Sequence, residues 1–384
     1  MEQLKRHKHI VITGDQVNAL GVLRSIGEGG IASVLIYLVE SHHSPVVIRS
    51  RYAKIVHKVD SYEEAIEVLV NLYGQETYKP FVYTCDDSIT ALLDEAYDRL
   101  IDRFYMFNAG AKGQIKHYMN KSVICELAEK HGLNIPKQEI VDTGVLPSTL
   151  KYPILTKTLM SIMGRWKEDY FICHNEEDLQ EAYNVIQSPR LLLQEYISKK
   201  NELEVWGFSI NGGEDVYIPF QKQYFRLSKE SYGGYMYFSP FKNQTLYDKI
   251  VKIIRECNFT GCFEVEFLVD KDDTLWFLEI NFRFAMSNYG VTFGGINYPL
   301  EWAKAVINNQ IVRDKSIKDC FVAMNEALDF GQSVSTKKIT IKQWLKELHS
   351  VDVLFLWNSK DPLPAWSFWW HKIIRMLRKN LFKE

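Results

Sequence analysis

Short apolar runs alternate with segments of helical periodicity over residues 9–110. HIVITG, residues 9–14, reads as an apolar strand closed by glycine, and residues 16–28 carry apolar positions at helical spacing. Residues 32–38 predict a second strand, residues 60–73 an amphipathic helix opened by an acidic cap, and residues 80–84 a third strand. This alternation predicts an α/β fold on a small parallel, doubly wound sheet. Gly14 and Gly21 bracket the first strand-to-helix turn without forming G-x-G-x-x-G, so a dinucleotide site has little support. Asp86 and Asp87 follow the third strand's carboxyl end, where open α/β sheets bind ligands. Capping of the next helix explains that pair equally well. Arg24, Ser50 and Arg51 are read as surface residues, with an anionic substrate as the alternative.

Residues 113–136 predict one helix, capped by Asn120, striped by Val123, Ile124, Leu127 and Ala128, and ended by Gly132 before Pro136. Lys121 falls in its first turn, against the helix dipole, as either a functional or a solvated lysine. Residues 152–172 read as strand, loop, strand. Lys157 follows the apolar Ile154 and Leu155, and the loop TLMSIMGRWK holds one glycine, Gly164, beside Lys167. Its methionines suit an adaptable cover. Asn175 caps another helix. Residues 191–193 are an apolar strand, residues 199–204 a polar turn, and Asn211-Gly212-Gly213 a hairpin turn. Lys222 and Arg226 stand among aromatic residues, and Gly233-Gly234 permits close backbone approach. A glycine-rich loop after Arg283 leads to a helix begun by Pro299.

The densest polar pattern is GCFEVEFLVDKDDTLWFLEINFR, residues 261–283. Period-two alternation puts Cys262, Glu264, Glu266 and Leu268 on one face of a strand and Phe263, Val265, Phe267 and Val269 on the other. After a turn at residues 270–274, Glu279, Asn281 and Arg283 share a face, backed by Trp276, Leu278, Ile280 and Phe282. Folding about the turn sets Glu266 opposite Glu279 and Glu264 opposite Asn281. Facing like charges destabilise a sheet. Two carboxylates and an amide oxygen are hard ligands suited to Mg²⁺. Spacing alone leaves this reading level with a solvated hairpin face.

The 384 residues, 46% hydrophobic with a formal charge of −2, suffice for two or three domains and lack a nucleic-acid binder's basic excess. Six scattered cysteines include no C-x-x-C pair and read as free thiols of a reducing cytosol. No long apolar signal core opens the chain, and no window predicts a membrane span. Residues 366–384 differ from the rest: five Lys/Arg face one Glu, with Trp366, Trp370, Ile373, Ile374, Leu377 and Leu381 as an apolar stripe. Such a helix can lie on an anionic membrane, on the protein itself or on a second subunit. Residues 361–364 read as a stiff break before it.

Val265-Glu266-Phe267 followed by Phe277-Leu278-Glu279-Ile280-Asn281-Phe282-Arg283 resembles the metal-binding hairpin of the ATP-grasp superfamily, in its biotin carboxylase, amino-acid ligase and D-aspartate ligase-like branches. Phe282 stands where that family usually has proline. The resemblance spans residues 9–310. It implies an α+β ATP-grasp fold: a Rossmann-like preceding domain, residues 1–112, then an ATP-grasp domain, residues 113–330, of two α+β subdomains clasping ATP. Residues 113–200 would include the lid, residues 201–330 the metal and catalytic part, and residues 331–384 a C-terminal extension. It implies Glu266, Glu279 and Asn281 as ligands of Mg²⁺ (Mn²⁺ serving equally) and Arg283 as catalytic. Arg226 would orient the substrate acid. Lys121 and Lys157 would contact nucleotide phosphates. Gln194, Glu195 and Ile197 would line the adenine, through main chain at the last two, and Glu202 would take the ribose hydroxyls, with Glu204 a nearby acid. The family's glycine-rich phosphate cover is missing here. The implied function is an ADP-producing carboxylate–amine ligase acting through an acyl phosphate. Bicarbonate activation, as in carboxylases and carbamoyl-phosphate-type enzymes, and a non-catalytic ATP-binding scaffold are the alternatives. The implied partners are a small-molecule or precursor acid and an amine, with no nucleic acid. The expected location is cytoplasmic, with residues 366–384 a candidate for contact with the inner membrane face or for a homodimer.

Overall fold

A computed structural model describes residues 1–14, 16–39, 46–162, 168–227 and 233–381, excluding the side chains of 16 and 375–381. Gly164, Lys167 and the side chains of Leu377 and Leu381 lie outside the described residues.

The first sheet contains β1 (His9–Thr13), β2 (Ser33–Leu38), β3 (Ala53–Val59) and β4 (Phe81–Thr84), all parallel, in the order β3-β2-β1-β4. Alternate side chains supply two separate cores. Val11, Leu35 and Tyr83 pack with the helix Gln16–Glu28 on one face. Ile10, Ile12, Val34, Ile36 and Val82 pack with the helices Tyr62–Tyr73 and Asp87–Glu95 on the other. The doubly wound arrangement is therefore the predicted one. Strand β3 was not expected. It is an edge strand whose lysines Lys54 and Lys58 obscure the apolar pattern while guarding the edge. The cap of Tyr62–Tyr73 is Ser61 rather than an acid: its Oγ accepts from Glu64 N at 3.1 Å. Glu64 Oε2 accepts from Asp60 N at 2.7 Å in return.

The predicted helix over residues 113–136 is two helices, Gln114–Tyr118 and Lys121–Lys130. Asn120 separates them because its side chain caps Ser122 N at 3.0 Å. Gly132, at φ 78°, ends the second. An antiparallel sheet follows, with β5 (Gln138–Asp142), β6 (Ile154–Lys157), β7 (Phe171–Cys173) and β8 (Arg190–Glu195) in the order β5-β8-β6-β7. Val141, Ile154, Leu191 and Leu193 close its own small core over Leu179 of the helix Glu176–Tyr183.

The largest sheet holds β9 (Lys199–Ile210), β10 (Asp215–Tyr224), β11 (Tyr235–Pro240), β12 (Gly261–Asp270), β13 (Leu275–Asn281), β14 (Phe321–Met324) and β15 (Val353–Leu354). Their order is β13-β12-β9-β10-β11-β14-β15. Residues 199–204 thus belong to a strand, not to a polar turn. Asn211, Gly212 and Gly213 make the β9–β10 turn with positive φ at each residue. After Arg283 the expected glycine-rich loop holds a short helix, Asn288–Phe293, before Tyr298–Asn308.

The last segment is tied into both neighbouring sheets. Arg24 is fully buried, contrary to its reading as a surface residue. Its Nε bonds Asp361 Oδ2 at 3.1 Å, and its terminal nitrogens reach Phe355 O at 2.8 Å and Leu356 O at 2.9 Å. Ser50 Oγ and Arg51 N donate to the same Asp361 carboxylate at 2.8 and 2.9 Å. These residues fasten the first sheet to the C-terminal segment, and removing either charge would strand the other in the interior. The final helix, Leu363–Leu381, starts two residues after Asp361, so Pro364 sits in its first turn instead of preceding it.

Candidate active site

Backbone register alone assembles a lateral row of charge. Lys222 of β10 lies opposite Glu204 of β9, Glu204 opposite Glu266 of β12, and Glu266 opposite Glu279 of β13. The predicted pairings Glu266–Glu279 and Glu264–Asn281 both occur. A register shift follows Glu266, so strict alternation fails at Leu278. Phe277, rather than Leu278 or Trp276, enters the core and meets Phe267 edge-on at 5.8 Å. The bulge keeps Glu279 and Asn281 on the polar face beside Glu266.

Two ammonium groups close the row. Lys121 ion-pairs with Glu279 at one end. Lys222 pairs with Glu204 at the other and donates to Ser287 Oγ at 2.9 Å. Tyr224 OH also donates to Glu204. Asn281 Nδ2 donates to Glu264 Oε2 at 3.1 Å and to Glu266 Oε1 at 2.7 Å. The Glu279 side chain is 31% exposed and that of Glu204 8%, so the row opens at the Lys121 end. Burial, then the charges of Glu279 and Glu204, push the Glu266 carboxyl well above its ordinary range. Burial and Glu204 do the same to Glu264. At Glu279 burial acts in that direction too, but Lys121 overcomes it and holds the carboxyl below its usual range. Three adjoining carboxylates between two ammonium groups leave an excess of negative charge.

Lys157, at the end of β6, donates to Gln194 Oε1 of β8 at 2.8 Å. Burial, reinforced by the like charge of Lys121, lowers its pKa to about 8. Lys121, Lys157 and Gln194 therefore share one region with Glu279. Glu195 donates its N–H to Lys137 O at 2.8 Å. Ile197 is half-buried in the β8–β9 connection. Glu202 lies opposite Leu268 and pairs with Lys199 at 2.5 Å.

Arg283 leaves β13 where the chain meets the first sheet: Phe284 N donates to Thr84 O at 3.1 Å. Its Nε bonds Asp87 Oδ1 at 2.5 Å, while Ser161 Oγ from the loop after β6 donates to Asp87 Oδ2 at 2.6 Å. Burial opposes both charges and their attraction wins, holding Arg283 above its ordinary range and Asp87 below. Asp86 is the helix cap, accepting from Ile89 N at 3.0 Å, and it also holds Tyr62 OH at 2.7 Å. Of the acidic pair, Asp86 thus takes the capping role expected for it. Arg226 departs from its expected place: its guanidinium bonds Asp329 at 2.7 Å and Glu347 at 2.5 Å and lies 4.8 Å over the Tyr235 ring. Those partners commit it to the C-terminal segment, because the nearly inaccessible Asp329 needs a cation.

Glu204, Lys222, Asp87 and Ser161 join the site without having been foreseen in these partnerships. Among the described residues no three His, Cys, Asp or Glu side chains already converge as a metal cluster. Lys121 and the Asn281 amide nitrogen take the carboxylate oxygens instead. A half-turn of that amide places Oδ1 where Nδ2 now lies, beside Glu264 and Glu266, and Glu279 lies opposite Glu266, so the donor set still fits a hard divalent cation.

No protein-family model matches the chain. Over 154 residues it is 29% identical to N5-carboxyaminoimidazole ribonucleotide synthase of Staphylococcus haemolyticus, so the chain covers 38% of that relative's length, as of its own. It is 21% identical over 320 residues to D-aspartate ligase of Enterococcus faecium, spanning 75% of this chain and 74% of that one. Among solved structures, N5-carboxyaminoimidazole synthetase from Staphylococcus aureus complexed with ADP superposes with a TM-score of 0.66 at 18% identity, covering 89% of this chain and 86% of that one. The chain therefore has the α+β ATP-grasp fold of these solved structures, and the relatives it matches belong to the ATP-grasp superfamily.

Proposed function

We propose that the chain binds ATP and uses it to join a carboxylic acid to an amine, forming an amide or peptide-like bond through an acyl phosphate and releasing ADP. One observation carries this reading: the row Lys222–Glu204–Glu266–Glu279–Lys121, with Arg283 just beyond its open end. A carboxylate resists nucleophiles because it is already negative, and phosphorylation gives it a leaving group. Lys121 and Lys157 would hold the nucleotide phosphates, Gln194, Glu195 and Ile197 the adenine, and Glu202 the ribose. Glu266, Glu279 and Asn281 would hold Mg²⁺ or Mn²⁺, which when bound neutralises phosphate charge and aligns it for transfer. Arg283 would stabilise charge on the transferring group or on the tetrahedral adduct. Asp87 would position Arg283. The reading divides the chain into a preceding domain (1–112), a clasping domain (113–330) and a C-terminal extension (331–384) that adds β15 to the largest sheet. A cytoplasmic location and a peripheral contact through residues 366–384 complete the reading.

A second reading takes bicarbonate as the activated acid, since the fold is shared with a biotin carboxylase domain solved in complex with MgADP and bicarbonate. A panel of amino acids, each with and without bicarbonate, separates the two through ADP release. Acid- and amine-dependent ADP without bicarbonate supports the ligase. ADP formed only with bicarbonate replaces it with a carboxylase, and ATP binding without turnover under any condition leaves a scaffold.

The lowered pKa of Lys157 adds a pH signature. Below about 8 the ammonium is present to meet phosphate; above that pH it is lost. ADP affinity should therefore fall as pH rises through about 8, and Lys157→Gln should be weaker below that pH and nearly flat across it. Calorimetric titration of ADP at several pH values reads this directly, and an unchanged wild-type affinity to pH 9.5 (about 1.5 units above, on the ordinary titration scale) would count against a phosphate contact at Lys157.

A further inference from the structure

The helix Leu363–Leu381 packs one side on the body and leaves the other bare. On the inner side Ala365 is buried, the Trp369 ring meets Phe330 at 6.0 Å, and the Lys372 ammonium lies 5.0 Å over that same ring. On the outer side Trp366 and Trp370 are 65% and 64% exposed, flanked by the exposed Leu363 and Ile373. Spacings of three, four and three residues align these four side chains in one stripe. Trp357, also exposed, extends the patch, its ring 6.2 Å from that of Trp366. Exposed apolar area of this kind, with three indoles, marks a surface that something covers.

Charge selects the occupant. Beyond the inward Lys372, the sequence adds Arg375, Arg378 and Lys379 within three turns of Trp370, and residues 366–384 hold five Lys/Arg against Glu384 alone. A second copy of the helix would bring the same positive charge against it. An anionic surface would neutralise it. Indole has an apolar body and one N–H donor, which suits the boundary between headgroups and acyl chains. No helix among the described residues is long and apolar enough to cross a membrane. We propose that the outer face of the helix Leu363–Leu381 lies in the plane of an anionic lipid bilayer, with Trp366, Trp370 and Ile373 at the level of the headgroups. It rests on the peripheral contact proposed above and not on the ligase chemistry. None of these residues belongs to the charge row, so the two can fail separately.

The full-length protein is tested by flotation with vesicles of phosphatidylcholine, and of phosphatidylcholine mixed with phosphatidylglycerol. Binding to the anionic vesicles should exceed that to neutral ones by about tenfold or more and weaken with salt, as expected for charges screened over about 8 Å. The double variant Trp366→Ser/Trp370→Ser should lose about tenfold of that binding with ADP formation unchanged. Arg378→Glu/Lys379→Glu, which leaves the apolar stripe intact, should lose as much, and covers the case in which the tryptophan variant folds poorly. Equal binding to neutral and anionic vesicles, or none to either, overturns the proposal. So does a lipid-independent dimer, seen by sedimentation and abolished by the tryptophan changes, without vesicle binding.

Discussion

Replacing Glu279 with alanine is expected to cut acceptor-dependent ADP formation by about 10²–10³-fold or more while the protein stays folded. Two facts separate activity from stability at this position. Glu279 lies at the open end of the row, so its loss exposes no core. Its removal also relieves repulsion on Glu266, whose carboxyl is pushed well above its ordinary range by burial and by Glu279 itself. The melting temperature should therefore stay within a few degrees of wild type. A raised carboxyl pKa in the folded state means that the folded protein holds protons the unfolded chain has released. Stability contributed by Glu264 and Glu266 is then present at low pH and declines as pH rises above the ordinary carboxyl value of 4.5 toward their raised values. A divalent cation between Glu266 and Glu279 would offset that decline. Magnesium should accordingly raise the melting temperature of wild type near neutral pH and do so far less in Glu279→Ala. Turnover within twofold of wild type would remove Glu279 from the mechanism, and an equal magnesium response in both proteins would remove the metal from this pair.

Much of the row was legible because a β-hairpin has few degrees of freedom. Residues 270–274 fix the turn, alternation fixes the faces, and Glu266 must then meet Glu279. The bulge at Leu278 was not legible, since an inserted residue leaves the composition of both strands unchanged. Glu204 and Lys222 needed the pairing of β9 with β12 and of β10 with β9, and β9 begins more than fifty residues before β12. The same limit explains Arg24 and Arg226. Arg24 looks like a surface cation and Arg226 like a substrate-orienting one until a partner distant in the chain arrives, Asp361 for the first and Asp329 with Glu347 for the second. Edge strand β3 was hidden by its lysines, and residues 199–204 by a polar composition that serves a strand lining a charged site. Sequence period thus locates faces within an element. Which buried charges meet is decided by long-range topology.

Arg283→Lys is expected to lower turnover by about 10²–10³-fold with little change in ADP affinity. The ion pair with Asp87 uses Nε, and a guanidinium can keep that bond while offering its terminal nitrogens to an anion. Lysine has one ammonium, which must either stay on Asp87 or leave it for the substrate. Asp87→Asn separates these duties. It keeps the side-chain volume and a hydrogen-bond acceptor but removes the charge that, against the cost of burial, holds the pair ionised. If Asp87 only positions Arg283, this variant should be impaired by about tenfold, mainly in kcat, and the doubly substituted protein should be no worse than Arg283→Lys alone. Ser161 reaches the other oxygen of Asp87 from the loop after β6, so Ser161→Ala should have a smaller effect in the same direction. Additive losses in the double variant would mean that Asp87 touches a substrate in its own right, the amine being the group its charge would attract. A full-speed Arg283→Lys protein would place the stabilising cation elsewhere, with Lys157 next in line because it shares the Glu279 end of the row.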